Sequence, residues 1–550
     1  MQTQSKGERS QSESVVRSAG IVSVAVAISR VSGLVREIVL AAMFGAGAAF
    51  DAFRIGFTIP NLTRDLFAEG ALSAAFVPVF TRYLATKSHD EARVLANLVT
   101  TALIVLVGSI CAIGIVLSPW LVDLIAPGFH DTPGKFELAV TMTRVMFPFL
   151  LLVALSAEVM GILNACNQFG VPAMASTFFN IGSIISGLIL GKLVGPQLGI
   201  TPIEGMAYGV VIGGGMQLLS QVPSLHRAGF RFRPRFDWSH PGLRQIFLLM
   251  APAILGNAAV QINITVNNNF ASKLPDPNGP VSWLGYAFRF MQLPLGIFGV
   301  AIASATLPSI SRSAAANDLD EFRDTLSRSL GMVFVLTIPS AVGLAVLGES
   351  IVGAVYQMGA FTAFDTNQTA RALSCYALGL VGYSATKVLS PGFYALHDAR
   401  TPMLVSVASI ALNFFAVILL LNGAHLGHEG LALSTSLVAI FSAIALLVLM
   451  RNRVGGIYGR KLWQTFLRVS AASAVMGAAV WICSRCVATV AGTSKIGRLT
   501  DLAISIPVGL MVLYGMCRML EIKELDIAMN SVLGTLQRRL QFSRARISKQ

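Results

Sequence analysis

The chain has 550 residues, of which 54% are hydrophobic and only 12% charged, with a mean hydropathy of +0.69. Soluble domains carry about 25% charged residues, so the composition excludes a soluble globular protein and puts most of the chain in lipid. The net charge of +14 does not point to nucleic acid, because the basic residues gather in short loops between apolar runs and in the tail.

Residues 1–17 are polar and include Lys6, Arg9 and Arg17. The apolar segment that follows carries two arginines and runs into further apolar segments, so it reads as a first spanning helix and not a cleaved signal. Fourteen helices are predicted, near residues 20–43, 52–82, 95–120, 138–164, 171–192, 204–224, 241–272, 283–311, 322–347, 366–388, 401–421, 430–450, 464–484 and 499–519. Most approach the ~20 residues that cross a bilayer core. The fold class expected is therefore an all-α polytopic membrane protein. With the N-terminus in the cytoplasm, 26 basic residues fall in cytoplasmic segments, seven of them in the tail. The opposite face holds six: Lys135, Lys192, Lys273, Arg485, Lys495 and Arg498. That bias orients the chain with both termini inside.

Two pieces recur at one offset. ALSAAFVPVFTRYLATKSHDEAR (71–93) matches AIASATLPSISRSAAANDLDEFR (301–323), with Pro78, Arg82 and Arg93 followed 230 residues later by Pro308, Arg312 and Arg323. Ala165, Pro172 and Ser176 are followed at the same distance by Ala395, Pro402 and Ser406. Six helices lie within each copy, so both copies have one orientation, as in transporters built from parallel repeats. The expected organisation is a lobe at 1–230, a second at 231–460, and two further helices with a basic tail at 461–550.

Nine basic residues fall inside predicted spans: Arg30, Arg36, Arg54, Arg64, Arg144, Arg289, Arg371, Lys387 and Arg468. A charge near the bilayer centre costs about 2.5–3.5 kcal/mol on insertion scales, so such groups face a polar cavity or a partner. The bland reading pairs them with Glu37, Asp51, Asp65 and Glu69; it is strong for Arg54, beside Asp51, and for Arg144 and Arg468, near predicted helix ends. It is weaker for Arg30, Arg36, Arg64 and Arg289. Arg30 and Arg36 are six residues apart, about 9 Å along a helix and 120° around it, and Arg64 stands near Asn61. Guanidinium groups bind phosphate in a bidentate fork, so a cationic cavity in a membrane suits a lipid-linked diphosphate.

Other patterns carry less. Asn257, Gln261, Asn263, Asn267, Asn268 and Asn269 form a polar stripe in the seventh predicted helix, for which hydrogen bonding between helices is the favoured reading over an ion or sugar site. His425 and His428 in HLGHE are read as a solvated loop and not a metal pair. Cys483 and Cys486 form a CxxC without the βαβ context of a redox motif. Gly213–Gly215 lie inside an apolar helix and lack the spacing of a phosphate loop. No nucleophile triad, P-loop or metal cluster is visible, so neither an enzyme nor an ATP-driven pump is expected, and no cofactor.

The stretches SRVSGLVREIVLAAMFGAGAAFDAF (29–53), IPNLTRDLFAEGALSAAFVPVF (59–80), APAILG (251–256), RFMQLPLGIFGVAIASATLPSIS (289–311) and KVLSPGFYALHDARTP (387–402) resemble the lipid II flippase (MurJ, formerly MviN) family. The likeness runs from about residue 20 to 520. It implies a multidrug/oligosaccharidyl-lipid/polysaccharide (MOP) exporter fold, with two C-terminal helices that form a groove for a lipid tail. It places the family's functional arginines on Arg30, Arg36, Arg64 and Arg289, around a central cavity that engages a diphosphate. Asp51, Asn61 and Glu69 fall on other motif positions, Glu37 is a nearby acid, and Lys387 matches a basic position of the second lobe. Where some relatives carry acids around the second-lobe arginine, this chain has Phe288 and Gln292; where some carry a lysine it has Thr58; Arg54 is its own.

The implied activity is movement of lipid II, the undecaprenyl-diphosphate-linked peptidoglycan precursor, across the bacterial inner membrane by alternating access. The partners implied are lipid II, membrane lipids, a coupling ion (Na+ or H+) and other cell-wall synthesis proteins. Rival readings are a flippase for another lipid-linked oligosaccharide of O-antigen type, a drug–cation antiporter, for which membrane carboxylates should stand where arginines do, and a non-transporting scaffold for cell-wall synthesis. The basic tail could bind such a partner or anionic lipid, each base contributing about 1 kcal/mol.

Overall fold

A computed structural model describes residues 2–65, 72–276, 278–522 and 524; at 2–21, 23, 73–74, 251–253 and 255–257 only the backbone is described. No strand occurs among the described residues. The chain divides into two compact units, one of Met1–Ser282 with Met358–Phe361, the other of Trp283–Gln357 with Thr362–Gln550.

The first unit contains α1 (Gln2–Phe44), α2 (Ala48–Arg64), α3 (Ser73–Thr86), α4 (His89–Ile125), α5 (Lys135–Met146), α6 (Pro148–Ala165), α7 (Gly170–Leu188), α8 (Pro202–Leu219), α9 (Val222–Arg227) and α10 (Pro241–Ser272). Local chemistry sets several starts. Ser88 caps α4 by accepting from the Glu91 N–H, and Thr201 and Glu204 close a reciprocal capping box around Pro202 at the start of α8. The core of this unit joins Phe76 and Phe80 of α3, Leu95 and Val99 of α4, Leu150 of α6 and Ile246 of α10.

The second unit contains α11 (Pro280–Pro294, of which the first three residues fall in the first unit), α12 (Ala301–Ala315), α13 (Leu319–Tyr356), α14 (Ala363–Ala395), α15 (Arg400–Ile418), α16 (His428–Arg453), α17 (Gly459–Ala491) and α18 (Lys495–Met519). Thr362 and Asp365 repeat the capping box at α14. Phe322, Leu326, Phe393 and Met450 centre one core, while Val469, Met476, Val480 and Leu513 bind the last two helices to α13.

The offset of 230 seen in the sequence recurs in the elements. α15 begins and ends 230 residues after α7, a π-helical turn follows each, at Leu419–Gly423 and Ile189–Val194, and α13 begins 230 after α4. One junction occurs twice. The Ala360 N–H donates to Ala42 O (2.8 Å) at the end of α1, and the Gly128 N–H donates to Ser272 Oγ (3.2 Å) at the end of α10. Gly359 has φ +59°, and a Cβ there would lie 2.1 Å from Ala42 O; one at Gly128 would lie 2.1 Å from Ser272 O. Glycine at both places lets backbone meet backbone.

Ten helices among the described residues are long and apolar enough to cross a membrane. The other four of the fourteen predicted fall on α1, α2 with α3, α8 and α10. These too are helical; they carry Arg30, Arg36 and Glu37 in α1, Asp51, Arg54 and Arg64 in α2, five glycines in α8 and the amide stripe in α10. α1 and α2 thus carry most of the candidate site residues.

Three sequence expectations are corrected. Lys135 and Arg498, read as external loop residues, are buried at helix starts. His428, read as loop, opens α16, where its Nε2 lies 2.9 Å from Gln368 O and its ring packs on Trp283. No metal-binding group is found among the described residues, and all six cysteines are free thiols.

Candidate functional site

In the first unit α1 packs against α7 through small and polar groups. Asn180 Nδ2 donates to Ser29 O (3.3 Å) and Ser32 Oγ (3.0 Å). One turn on, the Arg36 guanidinium carbon lies 5.0 Å from the centre of the Phe179 ring, a cation–π contact, and Nη2 is 3.3 Å from Glu37 Oε1. Arg36 and Glu37 are both shielded, at 11% and 5% side-chain exposure, so this pair sits largely out of solvent. Arg30 is exposed on the same helix. The 120° between them on the helical wheel separates one arginine held against α7 from one that is not buried by protein.

On α2, Arg64 donates from Nε (3.2 Å) and Nη2 (2.9 Å) to Asp65 Oδ1, and Asn61 is half-buried one turn earlier. Glu69 lies outside the described residues. Asp51 does not pair with Arg54, whose guanidinium lies 5.9 Å from the Phe50 ring. It is wholly buried and takes Lys135 Nζ and the Gly279 N–H on Oδ2, each at 2.9 Å, and the Ser282 N–H (3.0 Å) and hydroxyl on Oδ1. With four donors, one of them a cation, this carboxylate is a satisfied tie between α2, α5 and the start of α11, as a buried charge requires. Sequence reading missed Lys135 because a lysine after a Pro-Gly turn looks like loop; its signal was a position at the first residue of an amphipathic helix.

In the second unit Arg289 is exposed on α11, and its neighbour Phe288 meets Tyr376 of α14 edge-on at 5.3 Å. Lys387 is exposed on α14. Arg371 is tied to Glu429 at 2.8 Å, so this intramembrane base has a structural partner. Asn269 of the amide stripe donates to Leu124 O at 2.8 Å, the interhelical role expected of it. The C-terminal helices hold a buried acid of their own: Asp501 accepts from Ser350, Ser484 and Ser505 hydroxyls, and Arg498 reaches Glu349.

The long apolar helices, the repeated set of elements and the arginines carried within helices are those of a multi-pass membrane transporter. The sequence profile described as "Lipid II flippase MurJ" matches residues 40–497. A lipid II flippase MurJ of Burkholderia cenocepacia is 35% identical over 439 residues, covering 78% of this chain and 82% of that protein. A solved structure described as "Lipid II flippase MurJ, inward closed conformation" superposes with a TM-score of 0.74 at 27% identity, over 91% of this chain and 99% of that one. An inward-facing MATE transporter of the MOP superfamily shares the fold, with a TM-score of 0.64 at 15% identity, over 79% and 94% of the two chains. The chain belongs to the lipid II flippase MurJ family, a family of transporters and not of catalysts.

Proposed function

We propose that this protein carries lipid II from the cytoplasmic to the periplasmic leaflet of the bacterial inner membrane, with both termini in the cytoplasm. The observation that carries the reading is the placement of Arg30, Arg36 and Arg64 on the two helices α1 and α2, in a chain whose relatives are named for lipid II flipping. Fixed guanidinium groups suit a diphosphate held away from bulk water. In this reading Arg30, Arg36 and Arg64 of the first lobe and Arg289 of the second engage the diphosphate. Asn61 assists, and Asp51, Glu37, Glu69 and Lys387 set charge pairing or gating. The lobes are residues 1–230 and 231–460, which alternate access by rocking as parallel-repeat transporters do, and the two helices after 460 receive the lipid tail. An ion gradient (Na+ or H+) or the membrane potential drives the cycle.

The test is leaflet-specific detection of lipid II in cells dependent on each variant. Arg30→Ala, Arg36→Ala, Arg64→Ala and Arg289→Ala should each leave lipid II on the cytoplasmic leaflet while the protein still inserts in the membrane. Full flipping in all four would refute the arginine mechanism. Normal lipid II distribution on depletion of the protein itself would instead favour another lipid-linked oligosaccharide or a scaffold role.

A further inference from the structure

Among the described residues, the buried carboxylates have charged or multiple hydrogen-bond donors, with one exception. Asp51 has four donors, Asp365 accepts from Trp283 Nε1 and from the Thr362 N–H and hydroxyl, Asp501 has three serine hydroxyls, and Glu37 has Arg36. Glu158, in the apolar run of α6, is 1% exposed. Its Oε1 lies 2.7 Å from Thr100 Oγ1 of α4, and its Oε2 has no hydrogen-bond partner. No cation pairs with it among the described residues.

The hydrogen count at Thr100 decides what this contact is. A threonine hydroxyl has one hydrogen. Thr100 Oγ1 also lies 2.9 Å from Ala96 O, the carbonyl one turn back to which a helical threonine ordinarily donates. If that hydrogen goes to Ala96, the contact with Glu158 needs a hydrogen from the carboxyl. If it goes to Glu158, a buried anion is left with one donor and an oxygen that has none, an arrangement that is strongly unfavourable. A protonated Glu158 resolves both: Oε1–H donates to Thr100, Thr100 donates to Ala96, and Oε2 is a neutral carbonyl oxygen.

Glu158 also lines a cavity of about 230 Å³ inside the first unit, bounded by α4, α6, α8, α9 and the strap at 230–232. It is large enough for several water molecules. The charged groups in its lining are Arg93 from α4, already paired with Asp90 at 2.9 Å, His226 from α9 and Arg231 from the strap; His89 touches the lining through Phe230. α2, α3, α5 and α7 contribute no residue to the lining. This is the basic end of the unit, the side the charge bias assigns to the cytoplasm.

We propose that Glu158 is a proton-binding site, holding a proton between α6 and α4 and exchanging it with water through this cavity at the basic end of the first unit. Releasing the proton strands a lone carboxylate in the α4–α6 contact, so proton occupancy and the packing of these helices are linked. The site is separate from the arginines, and it stands or falls independently of the substrate assigned to them.

Infrared difference spectroscopy of the purified full chain in lipid nanodiscs, titrated across neutral pH, tests this directly. The wild type should show a protonated-carboxyl carbonyl band that is lost in Glu158→Gln, kept in the exposed control Glu137→Gln, and shifted in Thr100→Val, where the carboxyl remains but its acceptor is gone. Should Glu158→Gln fail to fold, the Thr100→Val shift alone reads the site. A band shared by wild type and Glu158→Gln, or one that Thr100→Val leaves unmoved, overturns the proposal. So does a sodium-dependent rise in melting temperature that needs Glu158, which would mark a resident metal cation in place of a proton.

Discussion

Lys135 Nζ lies 2.9 Å from Asp51 Oδ2, with only 3% and 1% of the two side chains exposed. Removing one partner of a buried pair leaves the other uncompensated and costs about 3–5 kcal/mol. Lys135→Met should therefore lower the melting temperature of the detergent-solubilised protein sharply. Asp51→Asn added to Lys135→Met should recover part of the loss. Equal melting temperatures for the single and double variants would show that the pair is not what holds α2 to α5.

The recurring glycine junction gives a second expectation. Gly45 and Gly359 both have φ +59°, and a Cβ would lie 2.4 Å from Ala360 O at the first and 2.1 Å from Ala42 O at the second. Left-handed backbone alone costs a non-glycine residue about 1–3 kcal/mol, and the clash with backbone adds to it. Gly45→Ala and Gly359→Ala should each reduce thermal stability, while Gly215→Ala, with nothing within 4 Å, should not. Thermal unfolding of the three side by side decides the matter.

Lysine keeps the charge of arginine but loses the planar fork. If a diphosphate is held by guanidinium geometry, Arg36→Lys and Arg289→Lys should lose flipping by roughly tenfold, about 1.4 kcal/mol, while inserting normally. Rates equal to wild type would mean that charge alone suffices.

Outside the membrane, Asp398 between α14 and α15 accepts from the Thr401 hydroxyl (2.7 Å) and N–H (3.0 Å). The Thr401 hydroxyl, then its N–H, hold this carboxyl below the ordinary aspartate value. The stability so gained is present above the unfolded value of about 3.9 and is lost as pH falls through the lower folded value. Wild type should be more stable than Asp398→Ala at neutral pH, with the difference shrinking in acid. A difference in melting temperature that stays constant across that range would contradict this.

Hydropathy and spacing made the helices and the repeat offset legible, because lipid forces apolar runs into helices whose length is set by the bilayer. They could not show which basic residues are covered. Lys135 and Arg498 stand at helix starts, where composition alone looks like loop, and only folding brings Asp51 and Glu349 to them. Glu158 was overlooked because one carboxylate in ALSAEVMGIL scarcely changes the apolarity of its run, and its partner Thr100 is 58 residues away. Arg30, Arg36 and Arg64 stood out because they gather with further charges in two neighbouring predicted spans, and Arg289 because it falls on a position of the family resemblance.

That gathering of charges has a bearing on how the protein is made. α1, α2 and α10 emerge from the ribosome carrying guanidinium, carboxylate or amide groups that the insertion machinery disfavours one helix at a time. α4 and α13, each long and apolar enough to span, follow within each half of the chain. The reluctant segments would then be retained by the eager ones behind them, so that membrane integration proceeds in groups of neighbouring helices and not strictly in order of synthesis.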